Sequence, residues 1–272
     1  MSLPSIVKSD ATDMAACEVS DAGLWGRRLL RFPALSSTNT WAAEHIDELG
    51  HGDVVWALTQ TAGRGRLDRV WLAPTGTSLT VSVVIEDIAL TPLAANLGQL
   101  AACAVLDTLS EKHIPGALKW PNDVMARDCK VAGLLTEQAP RSGAFILGIG
   151  LNVNTTAVEL AKAGLDRPVT SMRDLAGHEF DLAETLQVLL RNLARGIDEA
   201  RAHGLVYLWE TWKQHDWLSG RQVSVMGHGR QIQGTYLGVD AEGRLRIRNG
   251  VGAEEVLWTG DVSVQAGTGI HH

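Results

Sequence analysis

The sequence contains few of the residues that form disulfide frameworks or metal sites. Its three cysteines, Cys17, Cys103 and Cys129, are an odd number without C-x-x-C spacing, which argues against a disulfide framework and a zinc ribbon. The histidines form neither an H-E-x-x-H pattern nor a Cys/His cluster, so no zinc site is expected. We therefore predict no metal ion held by the protein's own side chains and a reducing, cytoplasmic location.

Long hydrophobic runs and targeting signals are also missing. Residues 1–30 carry acidic side chains but no basic start followed by an apolar core, which excludes an ordinary secretory signal. The most apolar later stretch, 88–106, is interrupted by Thr91, Pro92, Asn96 and Gln99. This pattern predicts an amphipathic helix of a globular domain rather than a membrane span.

Basic charge is in short supply as well. The chain has 24 Lys and Arg against 31 Asp and Glu, a formal charge of −7. Because non-specific nucleic-acid binding needs an excess of Lys and Arg on one face, we expect no DNA partner. The G-x-S-x-G pattern of a serine nucleophile is absent too, so hydrolase chemistry has no support.

The composition itself is that of an ordinary globular protein. Hydrophobic residues make up 45% of the 272 residues, enough at about 150 residues per domain for two domains, or one large domain with an appendage. Apolar periodicity predicts an α+β domain with a mixed sheet and helices. We predict helices from Ser37 or Thr38 to Gly50 and over 92–113 and 181–203, with strands over 53–61, 79–85, 117–120, 130–136 and 144–153.

The sequence changes character after Trp217. Short strand patterns over 221–226, 231–239, 244–248 and 254–257 alternate with glycine turns, which is typical of a small β-barrel. Trp209, Trp212 and Trp217 precede it at helical spacing, and we expect them to form a core between the domains. The predicted organisation is a loose lead-in over 1–32, a catalytic domain over 33–217 and a C-terminal domain over 218–266.

The first motif with chemical content is GRGRLDRVW at 63–71, directly after a predicted strand. Its glycines let the backbone approach a ligand, its arginines can bind anionic oxygens, and Trp71 offers a flat surface for a purine. The motif has neither the Walker order nor the complete G-x-G-x-x-G of a Rossmann fold. Taken alone, it equally fits a solvated basic loop or a nucleic-acid contact.

Two further motifs follow. KWPND at 119–123 predicts a sharp corner between strands that presents Asn122 and Asp123. KVAGLLTE at 130–137 starts a strand with Lys130, which by itself is as consistent with an exposed strand-edge lysine. GIGLNVN at 148–154 is an apolar strand that ends in two amides, and alone it indicates only a tight strand end.

These motifs in this order, with Ser37-Thr38-Asn39 before them and a small barrel behind, resemble the biotin protein ligases over residues 32–264. The resemblance implies a catalytic domain related to class II aminoacyl-tRNA synthetases and lipoate ligases, followed by an SH3-like barrel. It also implies a reaction in two steps that uses biotin, ATP and Mg²⁺. Biotin and ATP first form biotinyl-5′-AMP and pyrophosphate, and a lysine of a biotin carboxyl carrier domain of an acyl-CoA carboxylase then displaces AMP.

The resemblance assigns roles to individual residues. Lys130 is expected to bridge the biotin carboxylate and the phosphate, and it is the first catalytic candidate, before Arg64, Arg66 and Asp123. Asp123 is expected to orient or deprotonate the acceptor lysine. The biotin-binding candidates are Ser37, Thr38, Asn39, Gln60, Gly63, Arg64, Gly65, Arg66, Lys130 and Gly133, and the ATP or adenylate candidates are Arg64, Arg66, Arg69, Trp71, Asn122, Lys130 and Asn152.

The sequence differs from the family pattern at Asp68, where glycine is usual.

About 36 residues precede Ser37, too few for the winged-helix domain of the members that also act as repressors. We therefore expect a ligase without a DNA-binding domain, as a monomer or weak homodimer. The alternatives are a lipoate or octanoyl ligase of the same superfamily and a nucleic-acid-binding regulator.

Overall fold

The computed structural model describes residues 18–21, 28–67, 69–88, 91–140, 142–162, 167–227 and 230–264. Within these ranges the chain forms two sheets and a set of helices, which confirms the predicted α+β class. The expected departure at Asp68 and the cysteine at position 17 lie outside the described residues.

The larger sheet has eight strands among the described residues, in the order β1-β2-β3-β4-β8-β7-β6-β5. β2 and β3 pair in parallel, and the other neighbours pair antiparallel. Its strands are β1 (Glu18–Asp21), β2 (Arg28–Phe32), β3 (Val54–Ala57), β4 (Ser78–Ile85), β5 (Ala117–Lys119), β6 (Asp123–Ala126), β7 (Cys129–Gln138) and β8 (Phe145–Asn152).

The smaller sheet, called here the C-terminal sheet, is antiparallel and has the order β12-β11-β10-β9-β13 within the described part of the chain. Its strands are β9 (Gln222–Gly227), β10 (Arg230–Val239), β11 (Leu245–Asn249), β12 (Glu254–Leu257) and β13 (Asp261–Val264). The helices are α1 (Thr38–Glu44), α2 (Pro92–Glu111), α3 (Ala157–Lys162), α4 (Met172–Ala176), α5 (Leu182–His203) and α6 (Val206–Gln214), with a 3-10 turn at Ile46–Glu48.

The central strands of the larger sheet are buried on both faces. All eight residues of β4 are buried, as expected for a strand with a nearly continuous apolar sequence. Successive residues of β3 belong to different cores: Val54 and Trp56 pack with α2 and α5, whereas Val55 and Ala57 pack with the side of α1. The sheet therefore separates a large core from a smaller one, and α1 holds the smaller core in place.

Helix α2 is the apolar segment that the sequence pattern assigned to a globular domain. By length and composition it could cross a membrane, but 72% of its most apolar window is buried inside the protein. It packs against α5, β7 and β8. The helix is therefore a core element of this fold, and it begins at Pro92 as the sequence indicated.

Several sequence expectations need correction. The predicted lead-in of residues 1–32 is not loose at its end, because Arg28–Phe32 forms β2 and buries Leu30 and Phe32. The strand predicted over 53–61 is shorter, since residues after Ala57 turn away to form the loop. The short elements β6 and α6 were not predicted, because four to nine residues carry too little periodicity.

The tryptophans before the C-terminal sheet connect the two sheets, as predicted. Trp212 is 1% exposed and belongs to the large core, and Trp209 packs against that core. Nearby, the Tyr236 hydroxyl on β10 donates a 2.6 Å hydrogen bond to Asp216, which follows α6. Burial raises the pKa of Asp216 to about 6, although the hydrogen bonds from Tyr236 and from the amide of Leu218 act in the opposite direction.

The raised pKa of Asp216 predicts a pH-dependent stability. Since the carboxyl binds its proton more tightly in the folded chain than in the unfolded chain, its contribution is present at low pH and is lost as pH rises through about 6. Asp216→Asn removes this titration. The free energy of unfolding of the variant, measured by urea denaturation, should gain about 1 to 3 kcal/mol relative to the parent between pH 4 and pH 7. A difference that stays constant with pH would contradict the assignment.

Candidate active site

A cavity of about 370 Å³ opens at one side of the larger sheet, between α1, the loop at 63–72 and the start of β13. Of the fifteen residues predicted for the site, Gly63 is the exception that does not line it. The residues that do are Ser37, Thr38, Asn39, Gln60, Arg64, Gly65, Arg66, Arg69, Trp71, Asn122, Asp123, Lys130, Gly133 and Asn152. The structure therefore brings together residues more than a hundred positions apart in the sequence.

One end of the cavity is a polar pocket at the start of α1. The amide of Thr38 donates to Gln60 Oε1 at 2.7 Å. The hydroxyl of Ser82 on β4 donates to Asn39 Oδ1 at 2.6 Å, and Asn39 Nδ2 donates to Glu137 Oε2 at 2.9 Å. Thr38, Asn39 and Ser82 are buried, Gln60 and Glu137 are half-buried, and all are oriented by these hydrogen bonds, so this end can receive a ligand that combines donors and acceptors.

Glycines on β7 and β8 make room for the site side chains. A Cβ atom at Gly148 would lie 2.5 Å from Asn39 Oδ1, and one at Gly150 would overlap the Trp71 ring. Gly133 pairs with Gly150 in register, and a Cβ there would be 3.2 Å from the same ring. The Trp71 indole therefore packs directly on the backbone of β7 and β8, and Trp71 also lines the cavity.

Lys130 points into the cavity from β7. Its side chain is 17% exposed and its Nζ atom lies 2.5 Å from Asp123 Oδ1, so it is not an exposed strand-edge lysine. The ammonium also lies 5.7 Å from the Trp71 ring centroid. Arg167 approaches the other oxygen of the Asp123 carboxylate at 3.9 Å. The carboxylate therefore holds two cations at the centre of the cavity.

The Gly/Arg motif forms a tight hairpin. The amide of Gly65 donates to the Arg69 carbonyl at 2.7 Å, and the amide of Trp71 donates to the Gly63 carbonyl at 2.9 Å. Gly63 is buried below this hairpin, where a Cβ would overlap the Trp71 carbonyl. Its place in the structure is therefore to shape the loop.

Two arginines of the loop contact the C-terminal sheet: Arg66 binds the turn before β13, and Arg69 binds β13 itself. Arg66 donates to Asn122 Oδ1 at 3.2 Å and to the Thr259 hydroxyl at 2.7 Å. Arg69 forms a bidentate pair with Asp261, with one hydrogen bond of 2.8 Å, and this pair lowers the pKa of the Asp261 carboxyl. The C-terminal sheet is consequently part of the cavity wall.

Arg64 is bound beside the polar pocket of α1. Its guanidinium donates to Glu137 Oε1 at 2.5 Å, while the second oxygen of Glu137 accepts from Asn39. The loop is thus tied to β7 as well as to the C-terminal sheet. Glu137 lies in the KVAGLLTE motif, so the sequence contained a signal for it that the residue assignments did not use.

Three charged residues of the cavity, and Glu137, which binds Arg64 and Asn39, were not assigned from the sequence. Lys119 opens the KWPND motif and lines the cavity, and burial lowers its pKa. Arg167 and Asp261 also line it, but no recognisable motif surrounds either residue. Together with Glu137, they show that the electrostatics of the site depend on segments that meet only in the folded chain.

Two buried polar atoms of the cavity have no hydrogen-bond partner among the residues that the structure describes. Asn152 donates through Nδ2 to the Thr170 carbonyl at 3.0 Å, but its Oδ1 atom is unpaired. The indole nitrogen of Trp71 is also buried and unpaired. Because buried polar atoms in folded proteins are nearly always paired, these two atoms mark positions at which a ligand can complete the hydrogen bonding.

Two sequence profiles match this chain. The Biotin/lipoate A/B protein ligase family matches residues 31–154, and the Biotin protein ligase C terminal domain matches residues 218–265. Neither tests the predicted boundaries near 32 and 217, which stay predictions.

Individual relatives agree with the profiles. The biotin--[acetyl-CoA-carboxylase] ligase of Paracoccus denitrificans is 30% identical over 81% of this chain and 94% of its own length. The protein of the same name from Mycobacterium tuberculosis is 35% identical over 78% of both chains. Among solved structures, the biotin protein ligase from Aquifex aeolicus in complex with biotin and ATP superposes with a TM-score of 0.74 at 26% identity, covering 87% of this chain and 98% of that one.

The profiles match both the larger sheet and the C-terminal sheet, and the relatives are similar over most of the length of each chain. From this agreement between sequence and fold it follows that the chain belongs to the biotin protein ligases.

Proposed function

We propose that the cavity joins biotin and ATP into biotinyl-5′-AMP and then passes the biotinyl group to a lysine of a carrier protein. The observation that carries this proposal is the position of Lys130. Its ammonium lies beside Trp71 and Asp123, in the cavity that the polar pocket of α1 and Asn152, with its unpaired Oδ1 atom, also line. A cation at this point can hold two anionic groups against each other.

The polar pocket of α1 suits the ureido ring of biotin. A ureido group has one carbonyl acceptor and two N–H donors, which need oriented partners when they are buried. The Ser37 hydroxyl can donate to a carbonyl, and Asn39 Oδ1, which accepts one hydrogen bond from Ser82, can accept a second from an N–H group. Gln60 Oε1 accepts from the amide and the hydroxyl of Thr38 and holds the start of α1 in place. The pocket therefore supplies both kinds of partner at one place.

The opposite end suits adenine. The unpaired Oδ1 of Asn152 can accept from an exocyclic amino group, and the Trp71 ring provides an aromatic face. Gly150 and Gly133 leave the space in which this ring lies. ATP bound here would direct its phosphates toward Lys130 and the loop arginines.

The charge of the cavity favours adenylate formation. Six cationic side chains and two carboxylates are found among the described residues that line it. In the first step a biotin carboxylate oxygen bonds to the α-phosphorus, the bond from that phosphorus to the bridging oxygen breaks, and pyrophosphate leaves. The cations reduce the repulsion between the reacting anions and stabilise the charge that develops on the phosphate oxygens.

Mg²⁺ is part of the proposal as a partner of ATP. No group of three or more His, Cys, Asp or Glu side chains suited to a metal ion occurs in the part of the chain that the structure describes. This fits Mg²⁺, which usually binds through substrate phosphates and one or two carboxylates, and Asp123 and Asp261 are the carboxylates that line the cavity. When bound with ATP, the ion would neutralise charge on the departing pyrophosphate.

The second step requires a neutral acceptor lysine. Its nitrogen bonds to the acyl carbon of biotinyl-AMP, the acyl–oxygen bond breaks, AMP leaves, and the nitrogen loses a proton. Asp123 is placed to accept or orient that proton because its carboxylate lines the cavity beside Lys130. We further propose that the acceptor is the biotin carboxyl carrier domain of an acyl-CoA carboxylase, that the ligase acts in the cytoplasm as a monomer or weak homodimer, and that its acidic charge disfavours DNA.

Lys130→Ala tests the first step. Biotin-dependent exchange of labelled pyrophosphate into ATP should require Mg²⁺ and fall by about 100-fold or more in the variant, because the positive charge between the anions is lost. Lys213→Ala, an exposed lysine on α6, is the control and should retain the parent rate. Exchange that lipoate supports as well as biotin would favour the rival lipoate ligase, and full exchange by Lys130→Ala would remove Lys130 from the mechanism.

Gly150→Ala tests the nucleotide end. The added methyl group would overlap the Trp71 ring and displace it, so the KM for ATP in the exchange reaction should rise about tenfold while the KM for biotin changes little. Gly250→Ala adds the same methyl group where no atom lies within 4 Å. If both variants have the parent KM for ATP, the indole has no part in nucleotide binding.

Asp123→Asn tests the second step. Transfer from preformed biotinyl-AMP to the carrier domain, followed in single turnovers, should slow by about 100-fold because a general base is lost. Asp128→Asn makes the same change on an exposed carboxylate of the β6–β7 turn and should transfer normally. A normal transfer rate for Asp123→Asn would show that the acceptor lysine loses its proton elsewhere.

A further inference from the structure

The turn between β10 and β11 reaches from the C-terminal sheet to the larger sheet. The carbonyl of Gly243 in this turn accepts two buried hydrogen bonds, one from the indole nitrogen of Trp120 at 2.9 Å and one from Gln99 Nε2 at 3.0 Å. Trp120 belongs to the KWPND corner, and Gln99 belongs to α2. A single backbone carbonyl thus joins three elements that are far apart in the sequence.

The fit around Gly243 leaves no room for a side chain. A Cβ atom there would lie 2.8 Å from Gln99 Oε1 and 2.9 Å from the Trp209 ring, and it would overlap Asn96 Oδ1. The residue also has a φ of +88°, a conformation that favours glycine. Both steric contacts and backbone geometry therefore determine this contact.

The turn is held rigid by Asp240. Its Oδ1 accepts from the amides of Glu242 at 3.1 Å and Arg244 at 2.8 Å, and its carbonyl accepts from the amide of Gly243 at 3.0 Å. Arg244 returns an ion pair to the same carboxylate at 2.7 Å. The Gly243 carbonyl is consequently presented by a fixed turn rather than by a mobile loop.

Trp120 connects the Gly243 carbonyl to the corner that carries Asn122 and Asp123. It is 1% exposed and stands two and three residues before Asn122 and Asp123. Asn122 accepts from Arg66, and Asp123 pairs with Lys130. A change in the orientation of the Trp120 indole would therefore move the partners of two cations that the proposed adenylation step uses.

We propose that the β10–β11 turn is a component of the active site and that Gly243 is a positioning residue for adenylate formation. Its carbonyl fixes the Trp120 indole, and the indole fixes the corner that holds Arg66 and Lys130 in place. The inference rests on the proposed function for its kinetic effect, whereas its structural part does not depend on any activity. Gly243 touches no substrate in this scheme.

Gly243→Ala and Gly252→Ala form a matched pair for the test. Gly252, in the turn between β11 and β12, has a φ of +85°, close to that of Gly243, but nothing lies within 4 Å of a Cβ there. Both variants therefore carry similar backbone strain, and only Gly243→Ala crowds Asn96, Gln99 and Trp209 and so displaces the carbonyl that Trp120 binds. Circular dichroism and thermal unfolding report whether each variant is folded.

Hydrogen exchange measured by mass spectrometry provides the structural readout. Gly243→Ala should accelerate backbone exchange in peptides that cover residues 117–126, while Gly252→Ala should match the parent there. Equal hydrogen-exchange protection of residues 117–126 in the parent and in both variants would overturn the proposal, whether or not the parent exchanges pyrophosphate into ATP. If the parent shows no biotin-dependent exchange of pyrophosphate into ATP, the proposed function is refuted instead.

Kinetics provide the second readout. Gly243→Ala should lower kcat of biotin-dependent pyrophosphate exchange between about 10- and 100-fold, as misplaced reacting groups do. The KM for biotin should stay within about twofold of the parent, because the Gly243 carbonyl is bound by Trp120 and Gln99, which are not part of the polar pocket of α1. A rise in KM for biotin with unchanged kcat, or equal kcat in the two glycine variants, would overturn the positioning role.

Trp120→Phe keeps an aromatic ring at this position but removes the indole N–H donor together with the five-membered ring that carries it, so it also covers the case in which Gly243→Ala fails to fold. It should lower kcat in the same way as Gly243→Ala. If Gly243 acts through Trp120, the double variant should lose no more than the larger single loss, since both changes break one connection. If the kcat losses of the two single variants multiply in the double variant, the turn does not act through the indole. The same conclusion follows if Trp120→Phe has the kcat of the parent.

Discussion

The close approach of side chains to the backbone of β7 and β8 is the constraint on which the site depends. Asn39 and the Trp71 ring occupy the space above Gly148, Gly150 and Gly133. The antiparallel register places Gly133 opposite Gly150, so the sheet has a floor without side chains at one point. The polar pocket, the indole and the lysine are arranged around this floor, and larger residues there would separate them.

The cations of the cavity are held by the protein's own oxygens before any ligand binds. Arg64 is bound by Glu137, Arg69 by Asp261 and Lys130 by Asp123. Anionic substrates must therefore replace these carboxylates as the partners of the three cations. The ion pairs reduce the repulsion among these cations and keep their side chains near the positions that the reaction requires.

The sequence predicted what local patterns encode. The capping residue Asp181, the Thr91-Pro92 start of α2 and the motifs around Arg64, Asn122 and Lys130 each contain their signal within a few residues. Arg167 and Asp261 could not be found this way, because their proximity to the site arises from packing between distant segments. The strand at Arg28–Phe32 was missed for the same reason, since its pairing partner β3 lies in another part of the sequence.

The bonds from Arg66 and Arg69 to Thr259 and Asp261 also have a consequence for biosynthesis. These partners lie about 190 residues later in the chain than the arginines. During translation the hairpin leaves the ribosome long before the strand that secures it. A chain that is still being synthesised therefore cannot form these two contacts until β13 has been made.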